Sequence, residues 1–590
     1  MQFVAFFRTF LVFVICLELF CSAQNTNAKS NQPPMSQELA ELYSDGMDAL
    51  NRQDLPAARK YFETIARQTP RSPEARNLLG WVLMAQGQND NAAREFRAAI
   101  ANRPSFAPAY INLGQALERS GKLAEAESAF RTATQFAPNE AEAYRGLGRV
   151  LSGRGRRDQA IAQLRRAIVF APQRADLFDE YGSLLAQKND QAGAAQSFEK
   201  ALQLDPNYVS AMLHLGVVRW QQRRLDEAAS KLEDARRLSP QNPQVNYYLG
   251  VVKEEQGEKA AAIVALRKAA QLDPNFKDAH RHLGFLLQRE GKVEEAITAF
   301  RNTVRLDPKS AEAHNDLGLA LLQRGEADTA MEEFQTAASL LPRDASFREN
   351  LGIARMQKGD FDGAIRELQS ALLLEPNKAD ILYNLGVAFK LKDNLPEAIT
   401  QLQRALELDP RLADAHYTLG VTLWQKGDLP EAASHLRAAT QAKPDYAEAY
   451  YTLGTVLKQS GDLPNATAAL RDAIRLQPQF AGAHLTLSSV LQQQGDAQGA
   501  AEARHIGNEI TKKNNNRQAA TFATNFGKKL LQSGDVEGAI TQLRSAVRSD
   551  PEFVDAHYQL GVALQRKGDR LQAKEEFERA AQLEATELKR

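Results

Sequence analysis

Cysteine is nearly missing from this chain: the only two are Cys16 and Cys21, both within the first 23 residues. A chain cut after Ala23 holds no disulfide, no thiolate metal site and no cysteine nucleophile. Net charge is missing too, since Lys plus Arg and Asp plus Glu both number 73. With no overall field to draw in polyanions, nucleic acid is not an expected partner. A clean apolar run of the roughly 20 residues that span a bilayer is also absent. The chain contains no His-Glu-x-x-His helix, no phosphate-cradling glycine loop and no Gly-x-Ser-x-Gly elbow. The sequence therefore predicts no catalytic domain, no cofactor and no metal centre: not an enzyme.

What is present is one 34-residue unit, written repeatedly. Stepping by 34 from Gly46 lands on Gly80, Gly114, Gly148, Gly182, Gly216, Gly250, Gly284, Gly318, Gly352, Gly386, Gly420 and Gly454, then on Ser488. After a five-residue insertion the phase resumes at Gly527 and Gly561, which makes sixteen units. An alanine stands twelve places after the phase residue in all sixteen, from Ala58 to Ala573, and a proline 24 places after it in fourteen. Within each unit the apolar residues fall at helical spacing twice, as in Leu382, Leu385, Val387, Ala388 and Phe389 and again in Ala398, Ile399, Leu402, Ala405 and Leu406. Between them Gly427-Asp428-Leu429-Pro430-Glu431 has the spacing of a capping box, with a proline in the first turn where no backbone donor is missed. Each unit is thus a pair of amphipathic helices that must bury its faces against its neighbours. The two alanine columns admit close helix approach and should not tolerate larger side chains.

Leu419-Gly420, Ala432, Leu436, Ala439 and Pro444, recurring at this period, resemble the tetratricopeptide repeat (TPR) family over Leu39 to Glu587. The resemblance implies an all-α fold, a right-handed α-solenoid superhelix of about sixteen helix-turn-helix repeats. The expected organisation is a signal peptide at 1–23, a flexible tether at 24–38, repeats 1–14 at 39–514, an insertion or hinge at 515–519, repeats 15 and 16 at 520–587 and a short tail at 588–590. The signal reading rests on Arg8, the apolar run Phe10–Leu17 and the small residues Cys21-Ser22-Ala23. It places the mature protein in the periplasm, at the outer surface or in the secretory space; an uncleaved signal would instead anchor it to a membrane. Repeat 14 departs from the pattern: Ser488, Arg504, Gly507 and Lys512 replace the usual glycine, leucine, alanine and proline. A longer loop or a hinge is expected there.

Histidine offers no catalytic centre. His280, His314, His416, His484 and His557 all lie four residues before the phase position, where other units carry Tyr110, Tyr144 or Tyr450, so packing is the expected role. His214 and His282 share a second column. In the TPR family the first helices line a concave groove, with positions minus six, minus three, plus one, plus four and plus five pointing into it. Minus three gives Tyr383, Tyr417 and Tyr451 in successive repeats; plus four gives Lys390, Trp424 and Lys458; Asn384 lies beside them. Large amphipathic rings are enriched at binding hot spots, although rings here could equally fill space between adjacent helices. Acids at minus six, such as Glu74, Glu142, Asp414 and Glu448, could select basic peptides, yet the helix dipole alone favours them by roughly 0.3 to 1 kcal/mol each. The resemblance implies a scaffold for protein or peptide ligands, and with the signal reading an exported one, in cell-envelope assembly or secretion. Glycan ligands and polysaccharide export form an alternative. A second alternative is the recruiting part of a glycosyltransferase, since O-GlcNAc transferases display asparagines in the column of Asn112, Asn350, Asn384 and Asn525. His214, His282 and Thr418 interrupt that ladder, and the last repeat leaves no room for a transferase domain.

Overall fold

The computed structural model of the protein describes residues 37–587. The expected signal, nearly all of the tether and the tail lie outside the described residues. The first described helix begins at Gln37, so the last two residues of the expected tether are helical. Among the described residues there are 31 helices and no strand, and none of those helices is long and apolar enough to cross a membrane. The fold is all-α, a helical-repeat solenoid, as the periodicity requires. The chain forms two compact units, Met1–Ala279 and His280–Arg590, divided within the first helix of repeat 8 (Lys277–Arg289).

Each repeat is an A helix and a B helix, as in repeat 12 with Ala413–Lys426 and Leu429–Ala442. The turn between them needs one left-handed residue seven places after the phase glycine. Gly427 fills it at φ 97°, and Gln53, Asn189, Arg223 and Asp393 adopt the same sign of φ in four other repeats. A non-glycine residue there costs roughly 1–2 kcal/mol. The expected capping box is only partly realised. Asp190, Asp360 and Asp535 accept from the backbone N–H three residues on, whereas Asp428 makes no such bond and pairs with Lys426 at 2.8 Å. The nearby ammonium outcompetes a single amide for that carboxylate.

The phase glycine exists because of the residue sixteen places later. A Cβ on Gly80 would lie 2.6 Å from the ring of Phe96, and one on Gly420 2.7 Å from Cγ of Leu436. Phe96, Phe130, Phe198, Phe300 and Phe334 fill this position, each essentially without solvent exposure. Burial of such a side chain contributes about 1.5–3 kcal/mol. The alanines at plus twelve, among them Ala398 and Ala432, are fully buried.

The column four before the phase glycine packs as expected, and several of its polar tips have partners within the fold. His314, His484 and His557 direct Nε2 at the carbonyls of Pro308, Pro478 and Pro551, 3.0–3.1 Å away. The Tyr144 hydroxyl and the Asn246 amide donate to Pro138 and Pro240 in the same way. Their other neighbour stands nineteen residues on, on the B helix: His314–Glu333 and His557–Glu576 at 2.6 Å, Arg76–Glu95 at 2.8 Å. Only repeat 12 opposes two bases, with His416 Nδ1 3.0 Å from His435 Nδ1.

The expected loop or hinge at 515–519 is instead the middle of one helix, Ala497–Ser533, which serves as B helix of repeat 14 and A helix of repeat 15. Lys512 stands where a proline would have stopped it, and no proline or glycine occurs between Gly507 and Gly527. The helix buries Ala500, Ala503, Gly507 and Ile510 in its first half and Ala520, Ala523, Thr524, Gly527 and Leu531 in its second; nothing between Ile510 and Ala520 is buried.

Candidate functional site

Three consecutive A helices, Ala379–Leu391, Ala413–Lys426 and Ala447–Gln459, carry the residues singled out from the sequence. Position minus three lies on the side of each A helix that meets the next repeat. Tyr383, Tyr417 and Tyr451 are each half-buried and rest on one apolar cluster running from Leu402 to Ala503. One flank of each ring is used internally. Tyr417 packs on Tyr446 at 5.1 Å and Tyr451 on Phe480 at 4.7 Å, where Tyr446 and Phe480 precede the following A helices. Burial raises the Tyr383 phenol above its ordinary pKa, while a hydrogen bond with Thr418 acts the other way. Tyr446 is raised by burial and then by the Asp414 carboxylate, with which it hydrogen-bonds. The rings therefore fill space between adjacent A helices while remaining partly exposed.

Plus four lies two turns further along. Trp424 donates from Nε1 to Gln459 Oε1 at 2.7 Å, and Trp220, six repeats earlier in the sequence, makes the same kind of contact with Glu255 Oε1 at 2.8 Å. Lys390 and Lys458 occupy this position in the flanking repeats and are both half-buried. Burial depresses the Lys390 ammonium, with no carboxylate near enough to counter it.

Asn384 is engaged within the fold. Its amide donates to Glu349 Oε1 at 2.9 Å, and Lys378 Nζ lies 3.2 Å from the other oxygen of that carboxylate. This pair belongs to a seam missed by reading columns singly: minus three of one repeat bonds to minus two of the next, 35 residues on. Its other rungs are Asn77–Asn112 at 2.9 Å, Arg145–Glu180 at 2.9 Å, Asp179–His214 at 2.8 Å, Arg281–Asp316 at 2.7 Å and Asn315–Asn350 at 2.7 Å. Asn112, Asn350 and Asn384, three of the four asparagines that resembled a transferase ladder, are rungs of it; Asn525 is exposed and is not.

Two other arrangements bear on chemistry. Ser183 and Asp179 both approach His214 through the same nitrogen, Nδ1, at 3.5 and 2.8 Å. A proton relay needs them on opposite nitrogens, so this trio holds structure. Among the described residues no group of three His, Cys, Asp or Glu is placed to hold a metal ion. Four of the acids at minus six are ion-paired: Glu74 with Arg103 at 2.6 Å, Glu142 and Asp176 with Arg174 at 3.0 and 2.6 Å, Asp555 with Lys528 at 2.7 Å. Among the described residues Asp380, Asp414 and Glu448, at minus six of repeats 11–13, are exposed and make no ion pair.

Sequence profiles described as tetratricopeptide repeat match residues 43–104, 78–141, 117–188, 212–275, 283–345, 451–503 and 554–587. A profile described as TPR repeat matches 182–223, 354–393, 388–427, 422–461 and 527–568. Among curated proteins no sequence matches. Among solved structures the chain is similar to the APC/C hetero-tetramer Cut9-Hcn1 at 17% identity, covering 77% of this chain and 97% of that one with a TM-score of 0.37. It is similar to yeast Tom70 at 18% identity, covering 72% and 96% with a TM-score of 0.31. YrrB, described as a TPR protein with an unusual peptide-binding site, is 26% identical over 30% of this chain and 92% of its own, with a TM-score of 0.28.

Proposed function

The chain belongs to the tetratricopeptide repeat family, and from that premise we propose that it is an exported, non-enzymatic scaffold whose A helices in repeats 11–13 take an extended segment of a partner protein. The observation that carries this reading is the row of Tyr383, Tyr417 and Tyr451, half-buried on one continuous apolar base with Trp424 beside them. Rings held on one flank by Tyr446 and Phe480 have little freedom left to lose, so a ligand laid on the open flank gains contact area at small entropic cost. Arg8 and the apolar run Phe10–Leu17 support a place outside the cytoplasm, in envelope assembly or secretion.

Affinity capture from an envelope extract tests this, with the purified chain as one bait and its Tyr383→Ala, Tyr417→Ala, Tyr451→Ala variant as the other. The expected result is a protein recovered by the first and lost or reduced at least about tenfold, or about 1.4 kcal/mol, by the second. Equal recovery by both baits, with unchanged helical content, would reduce the tyrosines to packing residues.

A further inference from the structure

Basic side chains in this protein are habitually paired across repeats. Lys122 with Asp90, Lys188 with Asp158, Lys358 with Asp328, Lys392 with Asp362 and Lys567 with Glu537 all meet at 2.5–2.8 Å, each reaching 30 or 32 residues back. Lys390 and Lys458 break the habit. Among the described residues neither ammonium has a hydrogen-bonding or ion-pair partner, although both are half-buried. Lys392, two residues from Lys390, is paired. A place in the last turn of an A helix favours a cation through the helix dipole, but that does not require burial: Lys426, in the same turn of repeat 12, is 53% exposed. A half-buried, unpaired cation forfeits hydration and receives nothing for it within the chain.

Resting on the reading of repeats 11–13 as a ligand surface, we propose that the ligand is an extended acidic segment whose carboxylates pair with Lys390 and Lys458, with an apolar side chain seated between them on Trp424. The spacing follows from the repeat. Neighbouring packed helices lie roughly 10 Å apart, which sets the two lysines roughly 20 Å apart; an extended chain covers that in about six residues at ~3.3 Å each. The acids at minus six, Asp380, Asp414 and Glu448, stand ten residues back along their helices, about 15 Å away. That exceeds a Debye length of ~8 Å at physiological salt. They leave the lysine row unneutralised and repel an acidic ligand that slides towards them, so one register is selected. Carboxylate–ammonium bonds of this kind are stronger than neutral ones.

The test is fluorescence anisotropy on the purified full chain with a labelled, end-blocked peptide of about nine residues, glutamate near each end, phenylalanine midway and serine elsewhere. Matched peptides carry glutamine or lysine in place of glutamate. The expected order is glutamate tightest, glutamine weaker by about tenfold or more, lysine weakest, with the preference lost in Lys390→Met, Lys458→Met and reversed in Lys390→Glu, Lys458→Glu. The reversal keeps the proposal testable should the methionine variant fold poorly. Equal binding of glutamate and glutamine peptides, lost on Tyr417→Ala, would overturn the acidic ligand and leave the surface standing. Preferred binding of the lysine peptide would also overturn it. If no peptide binding responds to Tyr417→Ala or to the lysine variants, the surface itself is wrong.

Discussion

His435 sits where repeats 9 and 16 carry Glu333 and Glu576. Glu333 and Glu576 receive a histidine from the A helix, but His435 faces His416, whose Nε2 lies 3.3 Å from the Pro410 carbonyl. With that carbonyl taking the Nε2 proton, His416 Nδ1 is left to accept from His435 Nδ1. Burial and then His416 push the His435 pKa below its ordinary 6.5, against a smaller opposite pull from Glu431 one turn away. Below pH about 6.5 the unfolded chain therefore binds a proton that the folded site resists, and stability falls as pH falls through that window. Amide hydrogen exchange in repeat 12 should accelerate between about pH 7.5 and 5.5 relative to repeats 9 and 16, after correction for intrinsic rates. His435→Glu should restore the common pairing and remove the difference; an unchanged pH response would refute this account. None of this was legible in the sequence, which put His416 in its packing column correctly but gave no reason to look nineteen residues ahead. A column shows what recurs, and side-chain pairing is a relation between two columns.

At the scale of the element, the helix Ala497–Ser533 marks where periodicity stops being informative. The five-residue slip and the eroded residues of repeat 14 announced an irregularity, and the loop that the TPR pattern suggested was a habit of its other repeats. Three successive asparagines, 514–516, disfavour helix by roughly 2 kcal/mol together, yet a break costs a fresh nucleation at the next helix. Arg517 also braces the middle of the helix, pairing with Asp550 at 2.5 Å and lying 4.8 Å over the Phe553 ring. Asn515→Pro, in the unburied stretch, should cost about 3 kcal/mol and open tryptic sites at Lys512, Lys513 and Arg517 that the parent protects. Early cleavage of the parent at those residues would contradict a continuous helix in solution. At the candidate site, column assignment picked out Tyr383, Tyr417 and Tyr451, which rest on one apolar cluster. Asn384 escaped because its partner, Glu349, lies one repeat back.

Across the whole molecule, helices in substantial contact are neighbours or next-but-one in the chain within each compact unit. Local damage should therefore stay local. Gly420→Ala, which drives a methyl into Leu436, should cost about 1–3 kcal/mol and loosen repeats 11–13 in hydrogen exchange while repeats 2–4 keep their protection; uniform loosening would indicate a cooperative whole. Near-identical modules carry a hazard of their own, because any one can in principle dock on a copy of itself or skip its proper neighbour. Here the minus-three to minus-two seam acts as a set of addresses. Arg145 needs Glu180, Asp179 needs His214, Glu349 needs Asn384, and most shuffled orders oppose like charges or strand a carboxylate, at about 1–3 kcal/mol for each buried group left unsatisfied. The residues shared between repeats build the stack, and the paired differences along that seam favour its order.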